Sequence, residues 1–174
     1  SVGNIQFGGM DLAKYSKAQS EDDVVWVNTV DDGWTIPMGG VGFRDGGQLH
    51  IKGEQATLDT GLTYVMAPPD DLDELAARVK GDTGIACTKE GGGEIDLMEC
   101  DCTKDQFKKL KPLQLNIAGK AFNMPVEAWM SFEEKQRIEQ AESDAVNLPQ
   151  PKNCRLLMYP YDISMTATYK WVLG

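Results

Sequence analysis

The chain has 174 residues, 41% of them hydrophobic, and 27 acidic against 17 basic side chains give it a formal charge of −10. That length predicts one domain with a real buried core, and the acidic balance argues against nucleic acid and anionic membranes as partners, since both need basic surface. No apolar run approaches the ~20 residues that a membrane span requires.

Strands and turns dominate the pattern, in keeping with 18 glycines and 8 prolines. Residues 4–8 and 24–30 alternate or run apolar between turn residues and are expected to be strands. Asp31-Asp32-Gly33 is a hairpin-type turn, and Gly39-Gly40 and Asp45-Gly46-Gly47 punctuate the next stretch of chain. The run from Gln55 to Met66 is the most informative. An apolar strand delivers Asp59 into a tight Thr60-Gly61 turn, and a second apolar strand comes at once after it. Pro68-Pro69-Asp70-Asp71 then gives a stop and a pair of helix-capping carboxylates. Leu72, Leu75, Ala76 and Val79 recur at helical spacing, which predicts an amphipathic helix over 70–80 ending at Gly81. Segment 131–146 reads as a second, surface helix opened by a Ser131/Glu134 capping box.

Few residues offer chemistry. Asp-Thr-Gly occurs at 59–61 and again at 82–84, but the second copy comes after a predicted helix rather than an apolar strand, so Asp82 reads as a solvated turn residue. His50 is the only histidine, so any Ser-His-Asp or Cys-His mechanism would have to run through it, and it reads as a strand residue before a turn. Gly39-Gly40 and Gly91-Gly92-Gly93 lack the lysine-serine end of a phosphate loop. Cys100-Asp101-Cys102 lacks the two-residue gap of zinc ribbons. Neither a metal nor another cofactor is expected. Four cysteines, at 87, 100, 102 and 154, suggest two disulfides and leave three pairings open.

Several segments fall, in order, into register with one family. They are Phe7-Gly8-Gly9-Met10-Asp11 with Tyr15, Trp26-Val27-Asn28, Gly33-Trp34-Thr35-Ile36, and the Asp59 run. Leu115 to Phe122, Met124-Pro125-Val126-Glu127-Ala128-Trp129 and Trp171-Val172-Leu173-Gly174 complete the series, with Trp129 where the family has tyrosine. The chain resembles the C-terminal lobe of pepsin-like aspartic proteases of the cathepsin D and plant vacuolar type.

That resemblance implies a mainly β fold, a single pepsin-like lobe with short surface helices spanning 1–174. The family's final strands would come after the Trp171-Val172-Leu173-Gly174 segment, which should run beneath the catalytic loop. It implies an aspartic endopeptidase in which Asp59 is one of two catalytic aspartates, with Thr60, Gly61 and Thr63 supporting the loop. Leu62 takes a position near substrate where relatives carry a hydroxyl, a departure that bears on substrate range. The expected partners are an N-terminal protease lobe, as a separate chain or missing segment, and a polypeptide substrate. The implied location is secreted, lysosomal or vacuolar. The resemblance also places one disulfide between Cys100 and Cys154, leaving Cys87 for Cys102. Two other readings are an inactive lobe serving as a structural or binding subunit of a larger assembly, and a pair of identical lobes each giving one Asp59. The second is disfavoured because the strands that would form a dimer sheet are missing.

Overall fold

The structure is a computed structural model, which describes residues 7–16, 20–89, 97–133, 153–160 and 170–174. In chain order its first strands are β1 (Thr35–Pro37), β2 (Gly40–Phe43), β3 (Gly47–Gln48), β4 (Gln55–Leu58), β5 (Val65–Ala67), β6 (Ala86–Lys89) and β7 (Met98–Asp101). After these come β8 (Leu113–Ile117), β9 (Lys120–Met124), β10 (Met130–Phe132), β11 (Cys154–Leu156), β12 (Met158–Pro160) and β13 (Lys170–Leu173). The helices are α1 (Leu12–Tyr15), α2 (Pro69–Thr83), α3 (Lys104–Phe107) and α4 (Val126–Trp129). The fold is mainly β, as expected, with α2 as its one long helix among the described residues.

Three sheets carry these strands. The first has the order β1-β4-β13-β5-β12, the second β10-β11-β7-β6 and the third β3-β2-β8-β9. In the first sheet β13 is central: it runs parallel to β4, with Trp171 opposite Ala56 and Leu173 opposite Leu58, and antiparallel to β5. The chain therefore climbs on β4, passes over the end of β13 and returns on β5. Burial explains the strand choice. Trp171 is fully buried, Ala56 leaves room beside it, and Val65, Ala67 and Met158 continue the same apolar layer. The third sheet is built on the β8–β9 hairpin, whose Ala118-Gly119 turn has both residues at positive φ, the geometry a two-residue hairpin needs. Trp129 is fully buried with its ring edge-on to Phe43, centroids 5.8 Å apart.

Helix α2 packs against β6 and β12 through Leu72, Leu75 and Val79, all buried. Each such side chain contributes about 1.5–3 kcal/mol of burial. The helix runs past Gly81 to Thr83, and Gly84, at φ 79°, is the residue that caps it. Gly81 is exposed and costs about 1 kcal/mol there. Buried Val79 and Ile85 on either side of the last turn outweigh that cost, and the Thr83 hydroxyl donates to the Val79 carbonyl at 2.7 Å.

Other expectations are corrected. Residues 24–30 form no strand: Trp26 and Val30 are exposed, and the Val30 N–H bonds the Thr35 carbonyl across the 31–34 turn. Of 4–8, residues 4–6 lie outside the described residues, and Phe7 and Gly8 are not in a strand. His50 lies in the connection between β3 and β4, exposed, rather than in a strand. Ser131 does not cap a helix: it sits in β10 opposite Arg155, because Met130 on one side and Leu156 across the ladder bury this strand. The remainder of the expected 131–146 helix, from 134 onward, lies outside the described residues.

The two disulfides are Cys87–Cys100 and Cys102–Cys154, not Cys100–Cys154 and Cys87–Cys102. Cys100 in β7 faces Cys87 of β6 on one side and Cys154 of β11 on the other, so register alone permits either bond. The chain joins Cys100 to Cys87, with Cα atoms 4.0 Å apart. Cys154 then reaches Cys102, two positions along and on the same side of the strand by its alternation, at 5.8 Å.

Candidate active site

The crossover from β4 to β5 spans residues 59–64 and is pinned from below. The Asp59 main-chain N–H donates to the Leu173 carbonyl at 2.9 Å, which extends the β4–β13 ladder by one rung into the loop. Gly174 lies directly under the crossing. A Cβ there would stand 2.7 Å from the Tyr64 carbonyl oxygen and 2.8 Å from that of Leu62, so only glycine fits. Above this floor the Asp59 carboxylate is exposed, and its Oδ1 accepts the Gly61 N–H at 2.9 Å. The Leu62 N–H bonds the Asp59 carbonyl at 3.3 Å and closes the turn. Thr60 and Thr63 are exposed and Leu62 is half-buried. The structure thus brings Asp59 and Gly61 together. It does not bring the Thr63 hydroxyl into a hydrogen bond with the carboxylate.

The second Asp-Thr-Gly has different surroundings. Asp82 lies in the last turn of α2, not in a turn outside it, and its Oδ2 accepts from Arg78 Nε at 2.9 Å, one helical turn away. Both partners are partly exposed, so the pair contributes little, about 0.3–0.5 kcal/mol. Asp82 also lines a cavity at the end of α2, beside Arg78, Lys109 and Lys111.

On the other flank of β4, the Leu58 N–H donates to the Trp34 carbonyl at 3.0 Å, and the Thr35 and Thr57 hydroxyls are 3.0 Å apart. A hydrogen bond from the Thr35 hydroxyl and another from the Gly33 N–H hold the Asp31 carboxylate below its ordinary pKa. A depressed folded pKa adds stability that is present above the unfolded pKa and lost as pH falls through the folded one. Asp31 is exposed, so this acid sensitivity is slight.

Two cavities lie elsewhere. One of about 380 Å³ sits between the β2–β3 turn and the end of α2, the other of about 740 Å³ between α1 and β9, and residues 59–63 line neither. The Asp59 loop is open to solvent. Its neighbours Trp34 and Leu58 leave 73% and 44% of their surfaces exposed. Among the described residues no three His, Cys, Asp or Glu side chains converge as a metal-binding group, and no helix is long and apolar enough to cross a membrane.

Among the described residues the buried carboxylate is Asp71, whose place in the Pro-Pro-Asp-Asp pattern suggests only a helix cap. It accepts N–H groups from Lys52, Gly53 and the Trp171 indole. That pattern falls at the start of α2, but neither carboxylate caps the helix: the capping position is Pro68, and no side chain bonds the first turn's N–H groups there. The pattern cannot separate exposed Asp70, paired with Lys52 Nζ, from buried Asp71.

The model of the eukaryotic aspartyl protease family matches residues 1–157, and the chain belongs to that family. Over 79 residues it is 36% identical to the probable aspartic-type endopeptidase CTSD of Trichophyton verrucosum, covering 44% of this chain and 14% of the relative. Over 125 residues it is 28% identical to the aspartic-type endopeptidase ctsD of Aspergillus fumigatus, covering 71% of this chain and 24% of the relative. The chain thus matches between 14% and 24% of the length of these two curated relatives.

Proposed function

We propose that this chain is the C-terminal half of an aspartic endopeptidase and supplies Asp59 as one of two catalytic aspartates. The observation that carries this is the exposed Asp59 carboxylate, held by the Gly61 N–H above the Leu173-Gly174 floor. Two carboxylates about 3 Å apart cannot both ionise comfortably, so one keeps a proton and the other accepts one from a water held between them. That water attacks the carbonyl carbon of a peptide bond while the protonated carboxyl hydrogen-bonds the carbonyl oxygen. Collapse of the adduct expels the amine, which leaves with a proton.

In this reading Thr60, exposed at the loop tip, bonds across to the partner lobe, and Gly61 lets the backbone approach the carboxylate. Thr63 turns its hydroxyl to the outer carboxylate oxygen once the partner is in place. Leu62 offers an apolar surface to the substrate. The exposed Trp34 and Leu58 beside the loop support a partner lobe that covers them. The substrate is a polypeptide. Two disulfides support folding outside the reducing cytosol, in a secreted, lysosomal or vacuolar setting.

Hydrolysis of a denatured protein at acid pH, with and without a complementary lobe carrying a second Asp-Thr/Ser-Gly loop, tests the proposal. The chain alone should hydrolyse poorly and the combination well. Equal activity in both would contradict the two-lobe reading, and inactivity of both would favour a purely structural lobe.

A further inference from the structure

Asp71 is the one charged side chain buried among the described residues, with 1% of its surface exposed. Its Oδ1 accepts the Lys52 main-chain N–H at 2.7 Å. Its Oδ2 accepts two more N–H groups, from the Gly53 main chain at 3.0 Å and from Trp171 Nε1 at 2.9 Å. Lys52 and Gly53 belong to the segment that leads into β4, and Trp171 belongs to β13. One carboxylate therefore grips the base of both strands that end at the Asp59 loop.

The fit leaves no slack. A Cβ on Gly53 would lie 2.5 Å from Trp171 Cδ1 and 3.0 Å from Asp71 Oδ2, so the turn can approach the indole only as glycine. Parallel strands have no hairpin to fix their register, and a slip by one residue would turn every side chain to the opposite face. For β4 and β13 such a slip would detach the Asp59 N–H from the Leu173 carbonyl and move the carboxylate with it.

We infer that Asp71 is a positioning residue: by locking β4 against β13 it sets the height and direction of the Asp59 carboxylate. Its catalytic consequence rests on the reading of Asp59 given above, but the lock itself does not. An aspartate suits the task because its two oxygens accept from three donors at once. An asparagine would keep one oxygen for Gly53 and Trp171 and turn its own N–H₂ against the Lys52 N–H, donor against donor.

Amide hydrogen exchange in the full chain tests the lock directly. In Asp71→Ala and Asp71→Asn, exchange of the Asp59 amide should rise about tenfold relative to the Leu115 amide in the third sheet, the size expected for an orphaned buried partner. A Leu113→Ala control, buried in β8, should raise exchange at Leu115 at least as much as at Asp59. Should Asp71→Ala not fold, Trp171→Phe removes the indole donor together with part of a buried ring, and the Asp59-to-Leu115 ratio carries the same expectation. In the two-lobe enzyme, Asp71→Asn should lower kcat severalfold while leaving KM unchanged.

An unchanged Asp59-to-Leu115 ratio in the folded variants, or an equal ratio change in the control, overturns the lock. A changed ratio with unchanged kcat overturns its catalytic role. Full activity of Asp59→Asn with the ratio still responsive to Asp71 would sink the reading of Asp59 and leave the lock standing.

Discussion

Replacing Asp59 by Asn in the two-lobe enzyme should abolish peptide hydrolysis, with a loss of about 10²–10⁴-fold or more in kcat, the usual worth of a general acid–base group. The substitution keeps the shape of the side chain and an oxygen for the Gly61 N–H, so the loop should stay folded. On the proposed mechanism it removes the group that takes the proton from the attacking water. Substrate affinity should change little, so the loss falls on kcat and kcat/KM together, the mark of an interaction made only in the transition state. Asp82→Asn is the matched control: it changes the same residue type in the same triplet, but at the exposed end of α2. Its effect on activity should be negligible, and on stability within about 0.5 kcal/mol. Equal losses in the two variants would mean that the wrong aspartate has been assigned.

Removing the Cys102–Cys154 disulfide should have the largest effect on stability. It spans 52 residues of sequence, so the chain-entropy estimate gives about 4 kcal/mol. It also ties the end of β7 to β11, beside the β10–β11 pair that closes the second sheet. The double Cys102→Ala, Cys154→Ala variant should lose about 2–5 kcal/mol in denaturant unfolding. Cys87→Ala with Cys100→Ala should lose less, since that bridge spans only 13 residues and joins strands already paired across the ladder. Non-reducing peptide maps should recover Cys102 with Cys154 and Cys87 with Cys100. Recovery of a Cys100–Cys154 peptide would reverse the assignment.

The Asp59 loop is legible in the sequence because its signals are local. A carboxylate, a Thr-Gly turn and flanking apolar strands lie within a dozen residues, and the strand ending in Gly174 announces itself by three apolar residues and a glycine. The position of that strand, central between β4 and β5, is legible only through family resemblance, since nothing in residues 170–174 names its neighbours. The features that stay hidden depend on tertiary packing. Gly81 and Gly84 look alike as helix stops, and the choice falls to Gly84 because Ile85 beyond it is buried. Cys100 faces two cysteines across two ladders, so spacing cannot choose between them. Ser131 satisfies a capping pattern, yet Leu156 and Cys154 across the sheet draw its strand into the core. Asp71 differs from Asp70 only in which way the first turn of α2 faces, and that is set by Trp171, 100 residues away in sequence.

Whether Asp59 is half of a catalytic pair is decided by a crystal structure of this chain together with the polypeptide that completes its site, solved at acid pH. The Asp59 carboxylate should face a second aspartate at about 3 Å with a water shared between them, and Thr60 should be bonded across the interface. An Asp59 carboxylate left in open solvent, with no second carboxylate in reach, would contradict the assignment.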